Sequence, residues 1–284
     1  MTYYTPSIAV IVAAYNRPKT LLRLLDLLND QRCIDFRRMP VCVVEDGSDH
    51  SPFLKELPEQ DTVYDFSDEQ LSAEVGKYKF PFAYVYRPRH PDNVSRVYSS
   101  RNLAARITGI YGSDLILQLD DDVEFHPYLI NLLQSLAGMA TDEHWVWVPR
   151  ISNNIDVEKG NTEFRRGVDG RWYDGKVTWH ETHWQSTDSS AMLMSRKTWD
   201  AVGGYDEEFD ACMGAADQEL SLRVQKLGAE PGDVKVWIGP YFVNKADEET
   251  GSWRMEMINR RTRSERNEDI LARKHPDAKE WTNL

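Results

Sequence analysis

Cysteine is scarce in this chain of 284 residues: Cys33, Cys42 and Cys212, an odd number, none in a C-x-x-C spacing. A disulfide framework or a structural zinc site is therefore not expected, and a reducing cytoplasm is the compartment that fits. No run approaches the ~20 consecutive apolar residues that a membrane-spanning helix needs. Met1 leads through Thr-Tyr-Tyr-Thr-Pro into a strand-like segment, with no basic start and no cleavage site, so no signal peptide is expected. Positive charge is also short: 34 Lys+Arg against 46 Asp+Glu leave a net charge of -12. That balance excludes tight, unspecific binding to a nucleic-acid backbone, which needs clustered cations. A phosphate loop of the G-x-x-x-x-G-K-[ST] type is missing, as are internal repeats and low-complexity tracts.

What is present is an ordinary globular composition, 41% hydrophobic and 28% charged, enough for one large α/β domain or a domain with a lobe. Residues 8–14 form a β-branched apolar run that stops at Tyr15-Asn16-Arg17-Pro18 and reads as a buried strand. Pro18 suits a helix start, and leucines from Leu21 to Leu28 give that helix a broad apolar stripe. Residues 41–44 and 82–86 read as further strands, 97–111 as a helix and 115–119 as a fourth strand. The polar stretch 50–80 reads as a surface excursion. Strands alternating with helices predict a parallel sheet covered on its faces. The second half changes character, with Trp145, Trp147, Trp172, Trp179 and Trp184 close together. There 189–195 reads as a strand, 196–202 as a short helix broken at Gly203-Gly204, 215–227 as a helix and 234–238 as a last strand. The charged tail reads as helix over the site or partial disorder.

Asp120-Asp121-Asp122 follows the fourth strand directly. Open α/β sheets bind ligands at the carboxyl ends of their strands. Three adjacent carboxylates repel one another unless something positive intervenes. A hard cation, Mg²⁺ or Mn²⁺, is the usual remedy, taking one or two carboxylates plus substrate phosphates. A helix N-cap before His126-Pro127 would explain one aspartate but not three.

In company the triplet becomes specific. Residues 12–18 (Val-Ala-Ala-Tyr-Asn-Arg-Pro), 43–49 (Val-Val-Glu-Asp-Gly-Ser-Asp), 100–104 (Ser-Arg-Asn-Leu-Ala) and 117–122 (Leu-Gln-Leu-Asp-Asp-Asp) closely resemble glycosyltransferase family 2. So do Gly203-Gly204-Tyr205-Asp206-Glu207 to Phe209 and Ala216-Asp217-Gln218-Glu219-Leu220 with Arg223, so that the resemblance spans about residues 7–240. It implies an α/β chain of the GT-A fold, Rossmann-like, with a mostly parallel central sheet, flanking helices and an acceptor-side subdomain. The implied division is a GT-A domain over 1–245, with a nucleotide-sugar half at 1–123 and an acceptor half at 124–245, then a charged C-terminal extension at 246–284. It further implies transfer of a sugar, with inversion, from a nucleotide-sugar donor (a UDP-sugar first) to a hydroxyl acceptor. On the donor side the resemblance marks Ala13, Tyr15 and Arg17 along the nucleotide, Asp46 on the base, Arg101 facing the nucleotide, and Asp120 with Asp121. Asp120 and Asp122 would hold Mn²⁺ or Mg²⁺, and Asp217 would be the catalytic base.

The chemistry asks for the same parts. An oxocarbenium-like state with a departing diphosphate calls for a Lewis acid on one side and a proton-accepting carboxylate on the other. Asp188 and Glu181 are the fallback bases. Two positions depart from the family: Ala216 stands where a glutamate is usual, and residues 238–245 contain no His, only Asn244 and Lys245, which could meet the diphosphate. His180-Glu181-x-His183 lacks metalloprotease spacing and reads as surface or acceptor loop. Trp172, Trp184 and Asp188 are the acceptor-side candidates, since an aromatic face offers a platform to a sugar. The arginines at 254, 260, 261, 263 and 266 read as a solvated helix face or as an acceptor-facing patch. The acceptor itself stays open: a glycan, a lipid-linked glycan, a small molecule or a modified nucleic acid. A nucleotidyltransferase on a similar sheet and a non-catalytic sugar- or nucleotide-binding module are the rival readings.

Overall fold

The computed structural model describes residues 5–65, 71, 75–92, 94–138, 143–152, 155–156, 161–162, 180–182, 184, 187, 190–211, 214–230, 235–245 and 260–281. The elements in chain order begin with β1 (Ile8–Ala14), α1 (Pro18–Asn29), β2 (Val41–Asp46), β3 (Thr62–Asp65), β4 (Phe82–Arg87), α2 (Val97–Gly109) and β5 (Leu115–Asp120). There follow β6 (Val123–Phe125), α3 (Leu129–Ala137), β7 (Trp145–Ser152), a short ladder of β8 (Ile155–Asp156) with β9 (Asn161–Thr162), and β10 (His180–Thr182). The chain continues through β11 (Ala191–Ser195), α4 (Arg196–Val202), α5 (Ala216–Gln225), β12 (Lys235–Lys245) and α6 (Arg260–Lys274).

One ten-stranded sheet runs through both halves in the order β10-β12-β7-β11-β5-β1-β2-β4-β3, with β6 on β12. The central strands β5, β1, β2 and β4 are parallel, and β11 joins β5 antiparallel. Parallel strands covered on both faces must be apolar on both, which explains the unbroken run in β1. Ile8, Val10 and Val12 enter the core under α1 and α3, whereas Ile11 enters the core under α2, α4 and α5. Leu21, Leu24, Leu25 and Leu28 of α1 are buried, each contributing roughly 1.5–3 kcal/mol by transfer from water.

Two sequence expectations are corrected, and a third, a helix in the tail, is met. The excursion at 50–80 is partly core: Phe53, Val75, Tyr78 and Phe80 are buried, and the Phe53 ring packs edge-on against Tyr84 with centroids 5.0 Å apart. The last strand does not stop at Ile238 but runs to Lys245, passing Gly239-Pro240 through a register irregularity against β7. A bulge accommodates a proline that a regular ladder would reject. In the tail, α6 is a docked helix whose Ile270 enters the core on the α5 side of the sheet.

Candidate active site

The site lies where β1, β2 and β5 end together. Ala13 stands in register with Asp120, and Glu45 with Ala14, so the three loops leave the sheet side by side. Asn16 turns the first loop with a positive φ of 51°, a conformation asparagine tolerates better than most residues. Its backbone N–H donates to Ser48 Oγ at 2.8 Å, and its side-chain oxygen accepts from the Asp49 N–H at 2.8 Å, clipping the first loop to the second. Tyr15 is half-exposed, and its hydroxyl takes a hydrogen bond from Arg89 at 2.9 Å.

The aspartates diverge. Asp120 Oδ1 meets Arg101 Nη2 at 2.7 Å, while Arg17 Nη1 reaches Asp121 Oδ1 at 3.0 Å and Asp122 Oδ2 at 2.8 Å. Two guanidiniums thus supply positive charge between the carboxylates, a partner set the sequence did not reveal. Burial pushes the Asp121 carboxyl up to about 7, despite Arg17. Its side chain is the least accessible of the triplet at 8%, against 24% for Asp120 and 15% for Asp122. Among the described residues no three His, Cys, Asp or Glu side chains converge as a cage. Asp120 and Asp122, the two more accessible carboxylates, nevertheless offer the hard oxygen donors that suit a cation completing its shell with phosphates.

Asp46 is engaged more fully than its assignment to the base suggests. Its Oδ2 accepts from the Arg96 backbone N–H at 2.7 Å, and its Oδ1 faces the Arg96 guanidinium at 2.6 Å.

Across the cleft, Asp217 lies in the first turn of α5, where the helix dipole favours a carboxylate. Tyr205 Oη is 2.8 Å from Asp217 Oδ1 and 2.7 Å from Gln118 Oε1. Burial first, and Asp217 second, raise the Tyr205 phenol well above its usual range, so it stays a donor. Asn102 holds the Tyr205 backbone from both sides, accepting its N–H at 2.8 Å and donating to its carbonyl at 2.8 Å. Gly204 is required here: at φ +73°, a Cβ would lie 2.5 Å from Asn102 Oδ1 and 3.0 Å from the Trp199 ring. Arg101, buried against the adjoining rings of Tyr98 and Tyr205, connects the two sides. Its Nη1 lies 3.6 Å from Asp217 Oδ1 while Nη2 holds Asp120.

Comparison with solved structures matches this fold. The chain has the fold of the GT-A glycosyltransferases. Its GT-A fold aligns with the mannosyltransferase PcManGT from Pyrobaculum calidifontis, in complex with GDP-Man and Mn²⁺, at a TM-score of 0.53 and 15% identity, over 92% of this chain and 63% of that one. With S. aureus TarS 1-349 in complex with UDP-GlcNAc the TM-score is 0.51 at 15% identity, over 94% and 71%. With GalNAc-T7 bound to UDP, GalNAc and Mn²⁺ it is 0.57 at 14% identity, over 87% and 44%. The chain thus spans less than two thirds of the length of the mannosyltransferase and of GalNAc-T7. No family model and no curated protein matches the sequence.

The structure brings Ala13, Tyr15, Arg17, Asp46, Arg101, Asp120, Asp121, Asp122 and Asp217 together where β1, β2 and β5 end and α5 begins. Trp172, Asp188 and His183 lie outside the described residues, as do the side chains of His180, Glu181 and Lys245. Trp184 is buried at 3% exposure, whereas a stacking platform needs an open ring face. Tyr205, Gln118, Asn102 and Arg96 complete the site without having been singled out by sequence reasoning. For Tyr205 a signal existed, a tyrosine directly after paired glycines.

Proposed function

We infer that the protein transfers a sugar from a nucleotide-sugar donor, a UDP-sugar first, to a hydroxyl acceptor with inversion at the anomeric carbon. The observation that carries this reading is the Arg101 bridge, which puts a carboxylate suited to accept a proton across a buried guanidinium from the diphosphate side. Mn²⁺ or Mg²⁺, held by Asp120 and Asp122, would supply Lewis-acid stabilisation of the leaving diphosphate. The neighbours whose structures hold Mn²⁺ with a nucleotide or nucleotide-sugar support that assignment.

Asp217 takes the proton from the attacking hydroxyl, held in line by Tyr205 at the first turn of α5. Arg101 keeps a permanent positive charge beside the reacting centre where burial makes it strong. Arg17 orders Asp121 and Asp122, and the Asp46–Arg96 pair, rather than Asp46 alone, meets the base. The acceptor is a hydroxyl-bearing molecule whose class the described residues leave open.

In Asp217→Asn, transfer and donor hydrolysis with Mn²⁺ are expected to fall by roughly 10²–10⁴-fold, the range for losing a general base. Donor affinity in the same variant is expected to stay within about threefold. Full activity in Asp217→Asn would remove it from catalysis. A wild-type protein that binds sugar nucleotides without turning them over would be a binding module. Release of diphosphate from a nucleoside triphosphate would point to the nucleotidyltransferase reading.

A further inference from the structure

The segment entering α5 is held in an unfavourable backbone. Ala211 and Ala215 both have positive φ, 73° and 61°, as does Gly214 at 91°, although only glycine adopts that region without cost. Ala215 is also the N-cap of α5 and provides no side-chain cap. Such geometry persists only where neighbours over-determine it, and here they come from two helices.

From α2, the Ser95 carbonyl just before the helix accepts the Ala211 N–H at 2.6 Å, and the Tyr98 phenol oxygen takes the Gly214 N–H. From α6, Asn267 is fully buried in an otherwise charged helix. Its Nδ2 donates to Gly214 O at 2.9 Å and to Phe209 O at 3.4 Å. Arg266 adds contacts to the carbonyls of Asp210 and Glu208. Ile270 and Leu271 add apolar contact with the core, and ion pairs flank them: Lys274 pairs with Asp206 and Glu208, Lys226 of the α5 end pairs with Asp277 at 2.7 Å, and His275 meets buried Glu219 at 3.0 Å. A buried amide with two main-chain partners is costly to place unless it fixes something, and what it fixes lies three residues before Asp217.

We propose that α6 braces the backbone that presents Asp217, and that Asn267 is the positioning residue through which it does so. The inference rests on Asp217 being the base, and it makes the C-terminal helix part of the catalytic half rather than an extension of it. Asn267 touches no substrate; it acts through Gly214.

The test compares wild type, Asn267→Leu and Lys226→Ala, the last weakening the docking of α6 while leaving the Asn267 contacts. Below the melting temperature, Asn267→Leu is expected to lose roughly 10–100-fold in kcat, the cost of a misplaced reacting group, with donor affinity and KM for donor unchanged. Lys226→Ala is expected to keep its kcat. Amide hydrogen exchange over residues 214–219 should quicken by about tenfold or more in Asn267→Leu while the β1 and β5 amides stay protected. Should Asn267→Leu fail to fold, Asn267→Ser carries the same comparison without added bulk, its short hydroxyl falling short of the Gly214 carbonyl. Unchanged exchange at 214–219 overturns the brace whatever the activity. Equal kcat in wild type and Asn267 variants overturns the positioning role. A wild type without turnover, combined with faster exchange in the variant, sinks the functional reading and leaves the brace standing.

Discussion

Glu45 ends β2 next to Asp46, buried at 1% exposure, with its carboxylate accepting from Tyr84 Oη at 2.5 Å. Burial raises its pKa, and hydrogen bonds from Tyr84, Ser48 and Ser51 only partly offset that. The sign follows from linkage. A carboxyl whose folded pKa lies above its unfolded value of about 4.3 binds more protons folded than unfolded. Its contribution costs nothing below the unfolded pKa and becomes unfavourable as pH rises through the folded one. The Tm difference between Glu45→Gln and wild type is therefore expected to grow in favour of the variant from pH 4 to pH 7. A constant difference in scanning calorimetry would show that Glu45 is not destabilised by its charge. The charged residues at this scale were legible in kind but not in partner. Asp46, Asp121 and Asp120 could be marked from their motifs, yet Arg96, Arg17 and Arg101 approach them from 50, 104 and 19 residues away. No local pattern records contacts of that separation.

Helices and strands near the site depend on residues from other elements. α2 has no side-chain cap of its own; instead Asp210 Oδ1 accepts from the backbone N–H groups of Tyr98 at 2.9 Å and Ser99 at 3.3 Å. Asp210→Ala is expected to cost about 1 kcal/mol, as for a lost N-cap, read as a lower denaturant midpoint at unchanged m. An unchanged midpoint would mean that water replaces the cap. The elements legible in the sequence were those with one strong period: β1, β2, β4 and β5 as apolar runs bounded by turn formers, α4 by its Gly203-Gly204 stop. The aromatic residues between 50 and 80 enter the core from turns and short 3-10 segments, which have no period to detect. For α6 the helix was legible but its docking was not: Ile270, Leu271, one amide and several ion pairs hold it, while its charge reads as solvated surface.

The whole molecule responds to a ligand that binds only the folded state. At about 100 times its Kd, a nucleotide-sugar contributes about 2.7 kcal/mol of stability. For a chain of this size that corresponds to a Tm rise of roughly 5–10 °C. A thermal-shift series of UDP-, GDP-, ADP- and dTDP-sugars is expected to show the rise for one nucleotide class and only with Mn²⁺ or Mg²⁺. A flat series across all four would contradict nucleotide-sugar binding.

The antiparallel seam between β5 and β11 has a bearing on how this chain must be made. The backbone N–H of Asp120 is itself held by the Ser190 carbonyl, so the Asp120–Asp122 loop is finished by a strand synthesised some seventy residues later. Until β11 arrives, β5 is an edge whose Leu115, Leu117 and Leu119 are destined for full burial. A nascent or truncated chain ending near residue 123 carries an open strand with a run of apolar residues, the template that recruits strands from other copies. The second half thus closes an adhesive edge as well as completing the Asp120 loop.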